Sequence, residues 1–256
     1  MEYDPKLAKK LLESGEILNV KGIAVEQKAV PDGAACCMDP RQLRLELTIQ
    51  RENADRKGSP PPLSVIREHM GGFNYNLNRK EVYTRYIEVP TSVGTVPVWG
   101  YYPRHGRKIR PSLIYVHGGA FFGGTPFTAE NPCRLIAEKA DAVVWNVDYG
   151  LAPEHPYPIP CTQVYEVICW LHDHGSDYGM DSERIAIAGD SAGGNLCAVA
   201  AQMDRDKGTY YVKAQVLLYA KLTFTNQELP GYARDESVYE IVDEQRGLLP
   251  GMLRIG

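Results

Sequence analysis

The chain has 256 residues, of which 44% are hydrophobic and 23% charged, and its formal net charge is −4. That length and composition suit one large domain with a substantial core, and the mild acidity offers no general basic field for nucleic acid. No apolar run approaches the roughly 20 residues that span a membrane, and MEYDPKLAKKLLESGEIL lacks the order of a secretory signal, so neither anchor nor signal is expected.

Residues 1–80 read as a covering segment, and residues 81–256 as the core. Pro5 to Leu18 has Leu7, Leu11, Leu12 and Ile17 at helical spacing and predicts a short amphipathic helix. Cys37 to Asn53 fits a strand or a helix equally. Lys57-Gly-Ser-Pro-Pro-Pro62 is a break, and Leu63 to Met70 predicts a second short helix.

From residue 81 the texture changes. Val82–Val89 and Thr95–Tyr102 alternate as an antiparallel pair joined through Ser92-Val-Gly94. The basic stretch Arg104 to Arg110 reads as solvated loop. Ser112–Val116 is an apolar strand, Thr128–Lys139 a helix and Ala142–Val147 a buried strand. Val164–His172 carries a helical apolar stripe. Ile185–Ala188 is a strand followed by the helix Ala192–Met203, and Ala214–Tyr219 is one more strand. Strands alternating with helices predict an α/β fold, a mainly parallel sheet covered by helices on both faces.

The six cysteines, Cys36, Cys37, Cys133, Cys161, Cys169 and Cys197, form no C-x-x-C pair. Cys169 and Cys197 sit in apolar helical patterns and read as buried free thiols, which suits a reducing cytoplasm.

Ligand sites in such sheets lie at the carboxyl ends of the strands, where two glycine-rich loops fall. Gly189-Asp-Ser-Ala-Gly193 follows a strand and opens a helix, the setting of a G-x-S-x-G nucleophile elbow. A serine on so sharp a turn needs small residues two before and two after it. The turn lifts Ser191 Oγ out of the sheet and aims the Ala192 N–H at developing negative charge. His117-Gly-Gly-Ala-Phe121 also follows a strand, and Gly118, Gly119 and Ala120 are candidate backbone donors to an oxyanion. His117 reads as a support for the loop, and Asp190 as a hydrogen-bonding support of the elbow. The two loops are expected side by side.

His117-Gly-Gly-Ala-Phe121, Asp148-Tyr-Gly-Leu-Ala-Pro-Glu-His-Pro-Tyr-Pro158 and Gly189-Asp-Ser-Ala-Gly-Gly194, in that order, resemble the hormone-sensitive-lipase family of α/β-hydrolases over roughly residues 82–240. The resemblance implies an α/β-hydrolase fold with an N-terminal helical cap. It implies a hydrolase of short to medium acyl esters, a small-molecule substrate, and no metal or other cofactor. There are three departures: Ala120 replaces the third glycine of the family's loop, keeping the N–H but adding a methyl that narrows the hole; Gly150 replaces an arginine, whose contact is lost; and Tyr219-Ala220 stands where the family often has Tyr-Pro.

In α/β-hydrolases the acid and the histidine follow the serine. Here His69, His105, His117, His155, His172 and His174 all precede Ser191. Asp204, Asp206, Asp235 and Asp243 follow it, but none orients an identifiable histidine, so the triad acid and histidine are unassigned. Thirty-three residues follow Thr223, where two βα units of about 30 residues each are owed. The expectation is a core lacking its C-terminal strands, with weak activity or none, because a serine without a base is a weak nucleophile. A non-catalytic small-molecule-binding protein on the same scaffold is the alternative. A homo-oligomer pairing open sheet edges, or a second chain supplying the histidine, is a third.

Overall fold

The computed structural model describes residues 61–71 and 74–222, together with Lys6, Lys9, Glu13, Glu16–Val20 and Ile23–Gln27. The chain divides into two compact units, Met1–Pro61 with Thr225–Gly256, and Pro62–Phe224.

In the first unit Lys6, Lys9 and Glu13 are helical, and Lys9 Nζ approaches Glu13 Oε1 at 3.7 Å, one turn on. The expected helix stops short of Leu18. Glu16–Val20 is strand β1 and pairs antiparallel with Ile23–Gln27, strand β2, so that Val20 faces Ile23. Ile17, assigned from its spacing to the apolar side of the helix, is a strand residue with 75% of its surface exposed. Strand pairing with Ile23–Gln27 has overridden the helical period. The expectations for Cys37–Asn53 and for most of the Lys57–Pro62 break lie outside the described residues.

The second unit opens with helix α1, Leu63–Glu68, which buries none of its residues. Strands β3 (Val82–Thr91) and β4 (Gly94–Pro103) form the expected antiparallel hairpin. Its turn is fixed to the body of the protein, because Ser92 donates through both its N–H and its Oγ to the Glu166 carboxylate. Strand β5 (Arg110–Val116) follows. A single 3₁₀ turn at Pro126–Ala129 then leads into helix α2 (Glu130–Ala140). Glu130 in the first turn of α2 and Lys139 in the last complement its dipole.

Strand β6 is Val143–Val147 and helix α3 is Ile159–His174. Helix α3 starts earlier than its apolar stripe indicates, because Pro160 suits the first turn, where its missing N–H has no helical partner to bond. Strand β7 runs from Met180 to Asp190. Its polar front half, Asp181–Arg184, conceals it from a hydrophobicity reading. Helix α4 (Ser191–Asp206) and strand β8 (Val212–Leu218) complete the described elements.

Among the described residues the sheet has the order β3-β4-β6-β5-β7-β8. Strands β6, β5, β7 and β8 are mutually parallel, and β4 joins β6 antiparallel. This is an α/β-hydrolase sheet. Alternation along β5 divides the core: Ile114 and Val116 face α3 and α4, among Ile168, Leu171, Leu196 and Ala200. Tyr115 faces the other way, with Cys133 and Ala137 of α2. Each fully buried aliphatic side chain contributes about 1.5–3 kcal/mol. β8 is the edge strand among the described residues, and Val216 and Leu218 on it are exposed.

Because β6, β5 and β7 are adjacent and parallel, the loops after Val147, Val116 and Asp190 emerge on one edge of the sheet. The His117 loop and Ser191 therefore meet there, as their strand-end positions require.

Candidate active site

Ser191 is the first residue of α4 and sits at φ +50°, in the left-handed region. A non-glycine residue there carries about 1–2 kcal/mol of strain, held only because its surroundings over-determine it. Those surroundings are backbone. A Cβ on Gly193 would collide with the carbonyl oxygens of Val116 and His117, and one on Gly189 would lie 2.6 Å from Val116 O. Both outer glycines of the motif are thus required by the close approach of α4 to the end of β5. On the other side, Lys221 N–H donates to Ser191 O (3.3 Å), and Asn195 Nδ2 donates to Lys221 O (2.7 Å).

Asp190 joins the two loops. Its Oδ1 accepts the Gly118 N–H at 3.0 Å and the Tyr115 hydroxyl at 2.9 Å. This corrects one expectation. The Gly118 N–H is committed to Asp190, so Gly118 is not a free oxyanion donor; its role is to admit the carboxylate, which a Cβ at that position would strike. The N–H groups of Gly119 and Ala120 make no backbone bond among the described residues, and that of Ala192, in the first turn of α4, has no helical acceptor. The loop itself is tightly wound. Gly119, Ala120, Phe121 and Gly124 all have positive φ, at 133°, 53°, 67° and 82°. The N–H groups of Phe122 and Gly123 both fold back onto Gly119 O.

His117 is 1% exposed and stacks on Tyr149 with ring centroids 4.6 Å apart. Its Nδ1–H donates to Gly118 O at 2.8 Å, and the Tyr149 hydroxyl donates to His117 O at 2.9 Å. Burial lowers the His117 pKa below its ordinary value, because desolvation penalises the charged ring. The loop after β6 begins at Asp148, whose carboxyl is pushed up by burial. Gly150 N–H donates to Gln163 Oε1 (2.7 Å), and the His155 ring stands 2.5 Å from where a Cβ on Gly150 would lie.

One residue at the site has no motif. Arg67, on α1, donates from Nε to Phe122 O (2.6 Å) and from Nη2 to Ala152 O (2.8 Å). It also makes a two-pronged bond to Glu154, Nη1–Oε1 at 2.8 Å and Nη2–Oε2 at 2.6 Å. That bonding to Arg67 holds the Glu154 carboxyl down at about 2. The local sequence Leu63–Glu68 gives no signal of this, because two of the acceptors are main-chain carbonyls.

No described hydrogen bond links a histidine to Ser191. His69 Nδ1 bonds to Val65 O and His174 Nδ1 to Trp170 O, while His172 stacks on Tyr211. His105 and His155 are exposed. A cavity of about 350 Å³ lies against the oxyanion loop, lined by Met70, Tyr115, Gly119, Pro132, Asp190 and Tyr219 among others; Ser191 is not part of its wall. Among the described residues no three His, Cys, Asp or Glu side chains group as metal ligands, and no helix is long and apolar enough to cross a membrane. Cys133, Cys161 and Cys197 are buried free thiols, and Cys169 is only partly buried.

A family model described as the alpha/beta hydrolase fold matches residues 113–246, just over half of the chain. The chain is 45% identical over 125 residues to Esterase LipI of Mycobacterium tuberculosis, covering 49% of this chain and 39% of LipI. It is 34% identical over 200 residues to arylacetamide deacetylase of Oryctolagus cuniculus, covering 71% of this chain and 50% of that protein. The chain thus spans half or less of the length of these two relatives. Among solved structures, a hyperthermophilic esterase from the archaeon Pyrobaculum calidifontis superposes with a TM-score of 0.62 at 34% identity, over 73% of this chain and 61% of that one. Sheet order, serine elbow and relatives agree: the chain belongs to the α/β-hydrolase family, in its hormone-sensitive-lipase branch.

Proposed function

We propose that the chain carries the acyl-transfer centre of a carboxylic ester hydrolase for short to medium acyl esters. The observation that carries this reading is Ser191 at positive φ on a strand-to-helix turn, with the Gly119–Ala120 loop bound to the preceding residue. Ser191 Oγ adds to the ester carbonyl carbon while its proton passes to a general base. The carbonyl oxygen becomes an oxyanion received by the N–H groups of Gly119, Ala120 and Ala192. Collapse expels the alcohol with a proton and leaves an acyl-serine. Water then attacks the acyl carbon, releasing the acid and regenerating Ser191. None of the described histidines hydrogen-bonds to Ser191, so the base is assigned to none of them. A cytoplasmic setting belongs to the same reading and is supported by the buried free thiols of Cys133, Cys161 and Cys197.

A binding-only role is the second reading. It is supported by the cavity of about 350 Å³ against the Gly118–Gly119 loop, lined by Met70, Tyr115, Pro132 and Tyr219 among others. Turnover of p-nitrophenyl acetate and butyrate by the chain, measured against Ser191→Ala, decides between them. An oxyanion hole and binding alone accelerate by about 10³–10⁴ over water and persist in Ser191→Ala, so the deciding quantity is the rate in excess of that variant. A rate well above that of Ser191→Ala supports the hydrolase. A rate equal to that of Ser191→Ala, with saturable binding of the ester, supports the binding protein.

A further inference from the structure

We propose that Arg67 is the positioning residue of the oxyanion loop, holding Gly119 and Ala120 in donor geometry from outside the sheet. The proposal rests on the reading of those two N–H groups as oxyanion donors.

The loop from Gly118 to Gly124 holds two non-glycine residues, Ala120 and Phe121, in the left-handed region. Such a segment keeps its shape only if it is tied at both ends. The near end is tied by Asp190 to the Gly118 N–H. Inside the loop, the bonds from Phe122 and Gly123 to Gly119 O set its curl but not its placement over the elbow. At the far end, Phe121 O accepts the Ala152 N–H at 2.9 Å, so the loop leans on the segment after β6. Arg67 locks that contact. Its guanidinium takes Phe122 O on Nε and Ala152 O on Nη2, and so bridges the two segments at Ala152 itself and at the residue after Phe121.

Glu154 completes the arrangement. It lies two residues beyond Ala152 and grips the guanidinium by two parallel bonds, fixing the plane in which the other N–H groups point. Only a planar fork meets this set of acceptors; a lysine ammonium reaches one or two of them. A purely structural role explains the geometry less well. Helix α1 buries no residue, and the ion pair is half exposed, with side chains 27% and 54% accessible. Ion pairs of that kind add little to stability. The consequence of Arg67 is therefore local, and misplacing a donor by about 1 Å costs about 100-fold in rate.

The test uses the full chain, with Arg67→Ala, Arg67→Lys and Glu154→Gln, and two readouts. Amide hydrogen exchange followed by mass spectrometry reports on residues 118–124 whether or not the chain turns over. Expected for Arg67→Ala is at least tenfold faster exchange at Phe122 and Gly123, with β5 and α4 unchanged. In p-nitrophenyl acetate hydrolysis, kcat falls 10- to 100-fold with KM within about twofold. Arg67→Lys recovers little of either, and Glu154→Gln gives a smaller shift in the same direction. Unchanged exchange at 118–124 in a folded Arg67→Ala protein overturns the proposal, as does full recovery by lysine. If the unmodified chain turns over no faster than Ser191→Ala, the hydrolase reading fails separately, and the exchange result alone decides whether Arg67 places the loop. If Arg67→Ala does not fold, Arg67→Lys is judged by the same exchange criterion.

Discussion

Asp190 and Gly118, 72 residues apart in sequence, are joined by a 3.0 Å hydrogen bond from the glycine N–H to the carboxylate. The same oxygen takes the Tyr115 hydroxyl at 2.9 Å, so one side chain fixes the elbow to both the oxyanion loop and strand β5. Asp190→Ala leaves two partly buried donors unpaired, and a loss of about 1–3 kcal/mol is expected in urea unfolding. Asp190→Asn keeps an acceptor and loses only the charge assistance, so about half that loss is expected. Equal stability of the wild type and the alanine variant would refute this assignment.

Burial of His117 has a signature in pH. Its folded pKa lies below the ordinary value of about 6.5, because the ring is desolvated more strongly than Gly118 O and Asp190 favour the charged form. Below about pH 6.5 the unfolded chain therefore binds a proton that the folded chain refuses. Stability rises with pH through that window and falls as the solution is acidified below it. Denaturation midpoints measured from pH 5 to 8 should show this slope in the wild type and a flatter one in His117→Asn. Identical slopes would assign the acid sensitivity to other groups.

Ala120 occupies a place where φ is +53°. Alanine tolerates it, glycine is at ease there, and a β-branched side chain is a true outlier. Ala120→Gly should stay within about 1 kcal/mol of the wild type, since relief of strain is offset by greater freedom in the unfolded chain. Ala120→Val should lose about 1–3 kcal/mol. Thermal unfolding of the pair measures the difference, and a valine variant as stable as the glycine variant would contradict the backbone geometry.

Asp204 is 3% exposed, at the end of α4. Its Oδ1 accepts Thr209 Oγ1 at 2.7 Å and Tyr211 N–H at 3.0 Å, and its Oδ2 accepts Val212 N–H at 3.1 Å. It thereby shapes the turn that delivers β8. Asp204→Ala should cost about 3 kcal/mol, with Asp204→Asn intermediate, because several buried donors lose their acceptor. Guanidinium midpoints provide the check; a neutral alanine substitution would mean that water replaces the carboxylate.

Much of the site was legible because its constraints are steric and local. Gly189 and Gly193 face carbonyl oxygens at distances no side chain survives, and that demand is written as glycine in the sequence. The apolar runs Ser112–Val116, Val143–Val147 and Ile185–Ala188 likewise announce strands buried on both faces, whereas the polar front half of β7 does not. What escaped the sequence depends on partners that any residue supplies. The Gly118 N–H is spoken for by Asp190, and Arg67 is satisfied largely by the carbonyls of Phe122 and Ala152; no side-chain pattern records either. The β1–β2 hairpin escaped for a different reason. Ile17 fits a helical period, and only the spaced β-branched residues Ile17, Val20, Ile23 and Val25 favour pairing.

The bonds around Ser191 also order events in folding. Its turn is pressed from one side by Val116 and His117, and tied on the other through Lys221, just past β8. These contacts span dozens of residues in both directions, so they close only after β5, β7 and β8 have assembled. The strained φ of Ser191 is thus held by contacts from distant strands rather than by its own local sequence.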